Sequence, residues 1–260
     1  MVDGPPIRHY LFASSGIPLW LEERLVALAL SALDLVVSAS FTLLVAAQWA
    51  ARRRPHQLLW AAALLVWTLA VGAETAAAWK GIWSPTTYRL YYAFGALMVA
   101  GWLGAGSLYL AASARLARGY SVVMAVLSLA GLLCVFLFPV DASLLGRTDA
   151  LGFVEVKVFP LFPVRLFVIL ANILGTLAFV GSALYSLWRL RNRGSSGART
   201  TGVLLIAAGG LVAASAHSLG VLGGPGLFRI SELAAILVIF SGYLLSSRRL
   251  PEPVQAPASA

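Results

Sequence analysis

The stretch "RLVALALSALDLVVSASFTLLVAAQWAARRR", Arg24 to Arg54, holds a single ionisable residue, Asp34, between Leu25 and Ala51, and then meets three consecutive arginines. A hydrocarbon layer of roughly 30 Å takes about 20 helical residues to cross. The run does not alternate apolar with polar residues as a barrel strand must. It reads as a membrane-crossing helix anchored at one end by basic side chains.

Working outward, the same reading applies to seven runs in all, near 25–50, 57–79, 87–113, 120–140, 163–187, 202–222 and 228–246. Composition agrees, because a chain of 260 residues that is 60% hydrophobic and 11% charged, with a mean hydropathy of +0.87, holds too many apolar residues for one soluble core. The expected fold is an all-α membrane protein of seven transmembrane helices. It divides into a segment 1–24, a seven-helix domain 25–250 and a disordered tail 251–260, "PEPVQAPASA".

The net charge of +9 does not point to nucleic acid, since the basic residues are loop anchors. Arg52, Arg53, Arg54, Arg115, Arg118, Arg189, Arg191, Arg193, Arg199, Arg248 and Arg249 all follow odd-numbered helices. The positive-inside rule makes those ends cytoplasmic, so the N-terminus is expected outside and the C-terminus inside. Cys134 is the only cysteine, which excludes an intramolecular disulfide and a thiolate cluster. The start, "MVDGPPIRHYLFASSGIPLWLEERL", is a poor signal peptide because Pro18 breaks its apolar stretch and acids follow. Abundant Ala, Gly and Arg beside two lysines suggest a bacterial plasma membrane protein.

Ionisable groups inside the spans are the candidates for function, because they are costly there. In the first helix Ser31, Asp34, Ser38 and Thr42 follow helical spacing and form one polar stripe, with Asp34 expected near the bilayer middle. Glu74, His217 and Glu232 come from helices 2, 6 and 7 at one common depth, with Arg89, Arg165 and Arg229 one to two turns nearer the outer surface. His217 and Glu232 flank the turn "GGPG", a placement that allows direct contact. Asn172 and Thr176 continue the face of Arg165. Each of these groups has a bland alternative: snorkelling for the arginines, a structural ion pair or hydrogen bond for the rest.

Small residues mark close helix contacts: Gly101, Gly104 and Gly106 in helix 3, and Gly209, Gly210, Ala213 and Ala214 in helix 6. Helices 3 and 5 also share a faint repeat, since Arg89, Leu90, Leu108, Tyr109 and Arg115 recur as Arg165, Leu166, Leu184, Tyr185 and Arg191. The connection "DASLLGRTDALGFVEVKVFPLFP", Asp141 to Pro163, is either an interfacial loop or a lid across the bundle mouth.

Metal and haem sites are disfavoured, because His217 is the only histidine inside a predicted span. Retinal is disfavoured because Lys80 and Lys157 lie in connections, and a serine hydrolase because no nucleophile elbow is present. No cofactor and no enzymatic activity are expected.

Two stretches, "SPTTYRLYYAFGALMVAGWLGAGSLYLAASARLARG" and "TTGVLLIAAGGLVAASAHSLG", resemble uncharacterised seven-helix integral membrane proteins of actinobacteria-type genomes, in which Tyr-Arg, Tyr-Tyr and Phe-Gly-Ala begin the third helix. The resemblance implies kinship over helices 2 to 7 and brings no activity or site residue. The reading from the residues is a protein that binds a small molecule or lipid-like ligand in an outward-facing polar pocket, for transport or sensing. Its site set is Asp34, Glu74, Arg89, Arg165, Asn172, His217, Arg229 and Glu232. Membrane lipid is the expected surrounding partner. A non-catalytic scaffold, with the same charges bridging helices, is the alternative, and a membrane-embedded hydrolase a weaker one.

The orientation is testable in a Cys134→Ser background. Ala150→Cys is expected to react with an impermeant maleimide on intact cells and Ser195→Cys to be protected; the reverse pattern overturns the topology.

Overall fold

The computed structural model describes residues 19–145, 156–192, 197–223 and 225–247, with side chains apart from those of 19, 20, 23, 156 and 217–226. No strand occurs among the described residues, and seven helices are long and apolar enough to cross a membrane. We number these α1 (Leu19–Arg52), α2 (Pro55–Lys80), α3 (Pro85–Ala111), α4 (Ala114–Leu137), α5 (Leu161–Asn192), α6 (Ala198–Gly223) and α7 (Pro225–Ser247). The ends of α1, α3, α5 and α7 that carry or adjoin the arginine-rich connections are the basic end. The opposite end is the far end.

Observed boundaries follow from local chemistry. α1 begins directly after Pro18, earlier than the apolar run alone indicates, with Glu22 in its first turn where a carboxylate favours the helix dipole. α2 and α3 both open on a proline, which has no N–H to leave unsatisfied at that position. Ser84 caps α3 by accepting from Thr87 N at 3.1 Å, and Ser113 caps α4 by accepting from Leu116 N at 3.3 Å. α2 ends on Gly81, whose φ of 73° suits a residue without Cβ.

α1 packs on α2 and α7, α2 on α3, α3 on α5, α5 on α6, and α6 on α7, so six helices close a ring. α4 stands outside it against α3 and α5, with Val122, Val126, Leu129 and Leu133 exposed along its outer face. In hydrocarbon, association rests on close van der Waals packing and on polar contacts, not on escape from water. The α3–α5 crossing shows this: a Cβ on Gly175 would lie 2.5 Å from the nitrogen of Gly101, and one on Gly104 would lie 2.8 Å from the carbonyl oxygen of Gly175. The backbones touch because neither helix carries a side chain there. Gly209 packs in the same way on Ala235 and Ile239, and Gly210 on Phe179.

Two arginines, Arg24 and Arg89, act as staples at the far end. Arg24 donates to the carbonyls of Ala78 and Trp79, which end α2. Arg89 donates to Val135 O and to Phe138 O, the latter at 2.8 Å, and so holds the end of α4 to the start of α3. Both satisfy carbonyls that a helix end leaves without partners. Phe159 lies under Arg89, 5.7 Å from its guanidinium carbon, and packs on Tyr88 and Tyr92. The described part of the Asp141–Pro163 connection therefore packs on the corner formed by α3, α4 and α5; residues 146–155 of that connection lie outside the described residues.

At the basic end the ring interior is filled. Phe41 stacks on Phe240 at 4.7 Å between centroids, Trp60 and Tyr243 sit 5.8 Å apart, and Tyr243 donates its hydroxyl to Gln48 at 2.7 Å.

The glycine crossing gives a direct test. Gly175→Leu is expected to lower stability in detergent by about 1–3 kcal/mol or more, through overpacking. Gly181→Ala, on the same helix with nothing within 4 Å of the added carbon, is expected to be neutral. Equal unfolding temperatures for the two variants contradict the packing.

Candidate functional site

The polar stripe of α1 faces protein, as Ser31, Asp34, Ser38 and Thr42 are all buried. The hydroxyls bond to carbonyls of their own helix, and Thr42 also meets Thr68 of α2 at 3.0 Å. That contact fixes the register between α1 and α2. Counting from it at about 1.5 Å per residue sets Asp34 and Glu74 within about 3 Å of one depth. Asp34 thus belongs to the same layer as Glu74, not to a deeper one as the sequence reading has it, because α1 starts earlier and runs higher past α2.

In this layer Arg229 of α7 makes an ion pair with Glu74 of α2, both almost fully buried at 3% and 1% exposure. Glu232, one turn along α7, lies 4.0 Å from the same guanidinium. Asp34 interacts electrostatically with both Glu232 and Arg229, while its Oδ1 has no hydrogen-bond partner among the described residues. Three carboxyls thus face one guanidinium in a region where an uncompensated charge costs several kcal/mol. Among the described residues these carboxyls share a single guanidinium.

Beside this layer lies a cavity of about 590 Å3, bounded by α3, α5, α6 and α7 and touched by α2. Its walls are largely apolar, with Val99, Leu103, Ile169, Ile173, Leu177 and Phe179 along its length. Among the described residues the charged ones of the wall are Arg165 and Glu232, joined by Asn172 and Thr176 and by the aromatic rings of Trp67, Tyr91, Tyr92 and Phe228. Volume and lining fall within the range of small-molecule sites, which combine apolar walls with a few convergent polar groups.

The backbone of α3 makes room for this cavity. Residues Tyr92–Met98 form a π-helical turn, a wider coil that leaves α-helical hydrogen bonding out of step and recurs at functional sites. Asn172 of α5 compensates by donating to Ala96 O at 2.5 Å, while also bonding Val168 O at 2.8 Å. Tyr92, Gly95 and Ala96 of that turn all line the cavity. Asn172 therefore supports the wall and lines it at once.

The eight residues expected from the sequence separate into groups. Arg165, Asn172 and Glu232 line the cavity. Asp34, Glu74 and Arg229 form the buried layer behind Glu232. Arg89 lies apart from both, because its donors are directed at the end of α4. His217 falls within α6, but its side chain lies outside the described residues, so the expected contact with Glu232 is not described. The aromatic lining and the π turn were missed: no proline or glycine pattern announces the turn, although the Tyr91-Tyr92 pair was within the quoted third-helix motif.

No protein-family model matches the chain, no curated protein matches it, and no solved structure matches it.

Arg229→Met is expected to destabilise the protein by about 3 kcal/mol or more, since it leaves three carboxyls without their guanidinium. Glu74→Gln and Asp34→Asn, which keep hydrogen-bonding capacity, are expected to cost less, and Asp34→Leu more than Asp34→Asn. Thermal unfolding in detergent checks the ranking, and the Arg229→Met loss is expected to shrink at acid pH as carboxyls take up protons. Equal, pH-independent losses contradict a shared layer.

Proposed function

We propose that this polytopic membrane protein binds a small amphipathic or lipid-like molecule in the cavity between α3, α5, α6 and α7, for transport or sensing in a bacterial plasma membrane. One observation carries the reading: a cavity of about 590 Å3 with mainly apolar walls, whose charged lining among the described residues is Arg165 and Glu232. Apolar walls favour a ligand body that partitions from water, at roughly 0.8 kcal/mol for each buried methylene. The few polar groups then fix its orientation. With the basic end cytoplasmic, the Arg165 end of the cavity faces outward. The aromatic packing of Phe41, Trp60, Phe240 and Tyr243 blocks the ring on the other side. An outward-facing site over a packed inner half suits a receptor, and equally one stage of a transport cycle.

The role of the charges divides accordingly. Arg24, Arg89 and the Glu74–Arg229 pair hold helices together, as a scaffold's charges do. A scaffold, however, needs no cavity bordered by Arg165 and Glu232. The reading is non-enzymatic, with no reaction assigned to these groups.

The test is mass spectrometry of small molecules retained by protein extracted with its native lipid. Ala214 lines the cavity and is exposed, so Ala214→Trp fills space with little strain on the fold. A species retained by wild type and absent from correctly folded Ala214→Trp supports the reading. Identical small-molecule content in both overturns it.

A further inference from the structure

We infer that the ligand is a single-chain zwitterionic amphiphile, whose anionic group is held by Arg165 and whose ammonium group is held by Glu232. This rests on the cavity being a binding site and adds the chemistry of what binds. Arg165 and Glu232 stand on different helices, α5 and α7, at the wall of one cavity, and they do not form an ion pair with each other. The Arg165 guanidinium has no carboxylate partner among the described residues; its electrostatic neighbours are the phenols of Tyr88 and Tyr92. A half-buried guanidinium without an anion, at the edge of an apolar cavity, fits a phosphate or carboxylate, for which its fork of donors is suited.

Glu232 presents the opposite need. Among the described residues the guanidinium nearest to it is that of Arg229, at 4.0 Å, and it is already paired with Glu74. An incoming cation is therefore favoured at Glu232. The rings of Trp67, Tyr91 and Phe228 line the same cavity, and Tyr91 interacts electrostatically with Glu232. Carboxylate and aromatic faces together are the chemistry that holds an ammonium group. A purely anionic head satisfies Arg165 but meets Glu232 as a like charge, and a purely cationic head does the converse. Only a head with both charges answers both walls.

The body of the ligand follows from the lining. From Arg165 to Phe179 the cavity wall follows α5 for about 21 Å at 1.5 Å per residue, with Val168, Ile169, Ile173 and Leu177 between. A long, narrow apolar slot of about 590 Å3 suits one chain better than the two of a bilayer phospholipid. The same zwitterionic chemistry also occurs in water-soluble molecules such as phosphoethanolamine, so the tail is tested separately from the head.

The experiment uses purified full-length protein in detergent micelles, with binding read by native mass spectrometry and by tryptophan fluorescence, since Trp67 lines the cavity. The probes are palmitoyl lysophosphatidylethanolamine, palmitoyl lysophosphatidylglycerol, hexadecylamine and free phosphoethanolamine. Wild type is expected to prefer the zwitterionic lysolipid over the anionic and the cationic chain by about tenfold or more, which corresponds to 1.4 kcal/mol or more. Phosphoethanolamine is expected to bind at least a hundredfold more weakly, for lack of a chain. Glu232→Gln is expected to abolish the preference over the anionic lysolipid, and Arg165→Gln the preference over the amine. Should either variant fail to fold, the ranking of the four probes on wild type decides alone. If the three chains bind equally and Ala214→Trp removes them all, the cavity binds amphiphiles but the zwitterion inference falls. If phosphoethanolamine binds as well as its lysolipid, the single-chain body is wrong. If no probe binds, the inference falls, while the mass-spectrometric comparison of wild type with Ala214→Trp still judges the cavity by itself.

Discussion

Arg229 reaches from α7 to Glu74 on α2, and the two are buried together at 3% and 1% exposure. α7 and α2 are not sequence neighbours, and each also packs on α1, so this pair ties the last helix of the ring across the first. Inside a bilayer neither group can turn to water, and each is tolerable only because the other is present. The pair does more than close the ring. By engaging the guanidinium, it leaves Glu232 and Asp34 as surplus carboxyls in the same layer. Glu232 then faces the cavity while sharing its guanidinium with Glu74. Structural closure and chemical readiness thus arise from one arginine.

Much of this was legible in the residues. The seven spans follow from apolar length, and their observed ends differ from the runs by a few residues, where prolines, caps and an acidic first turn extend a helix past its apolar core. The shared depth of Glu74 and Glu232 followed from counting residues from the helix ends, and the glycines of α3 do meet a neighbouring backbone. That Asp34 and Glu74 share a layer was not legible, because register between two helices depends on which side chains interlock, here Thr42 with Thr68. Nothing in a hydrophobic pattern encodes that choice.

Arginine partners were the least legible feature. Arg89 and Arg165 occupy equivalent places in the faint repeat, yet one binds the carbonyls that end α4 while the other borders the cavity. The difference comes from what each helix has beside it: a helix terminus near Arg89, and open space near Arg165. The π turn of α3 was equally hidden, because the bond by which Asn172 satisfies Ala96 O is a tertiary contact with α5.

Among the helices of the ring α4 packs mainly on α3 and α5, and it exposes most of its length, yet the ring cannot be threaded without it. α3 and α5 lie side by side and run in the same direction, Asn172 meeting Ala96 and Gly175 meeting Gly101. Two neighbouring spans that point the same way need a return stroke between them, just as parallel strands need a crossover. α4 is that stroke, and deleting it would invert every span that follows. Its outer face is held only to being apolar, while Met124, Ser128 and Gly131 are held by what they touch on α3, and its presence is fixed by parity.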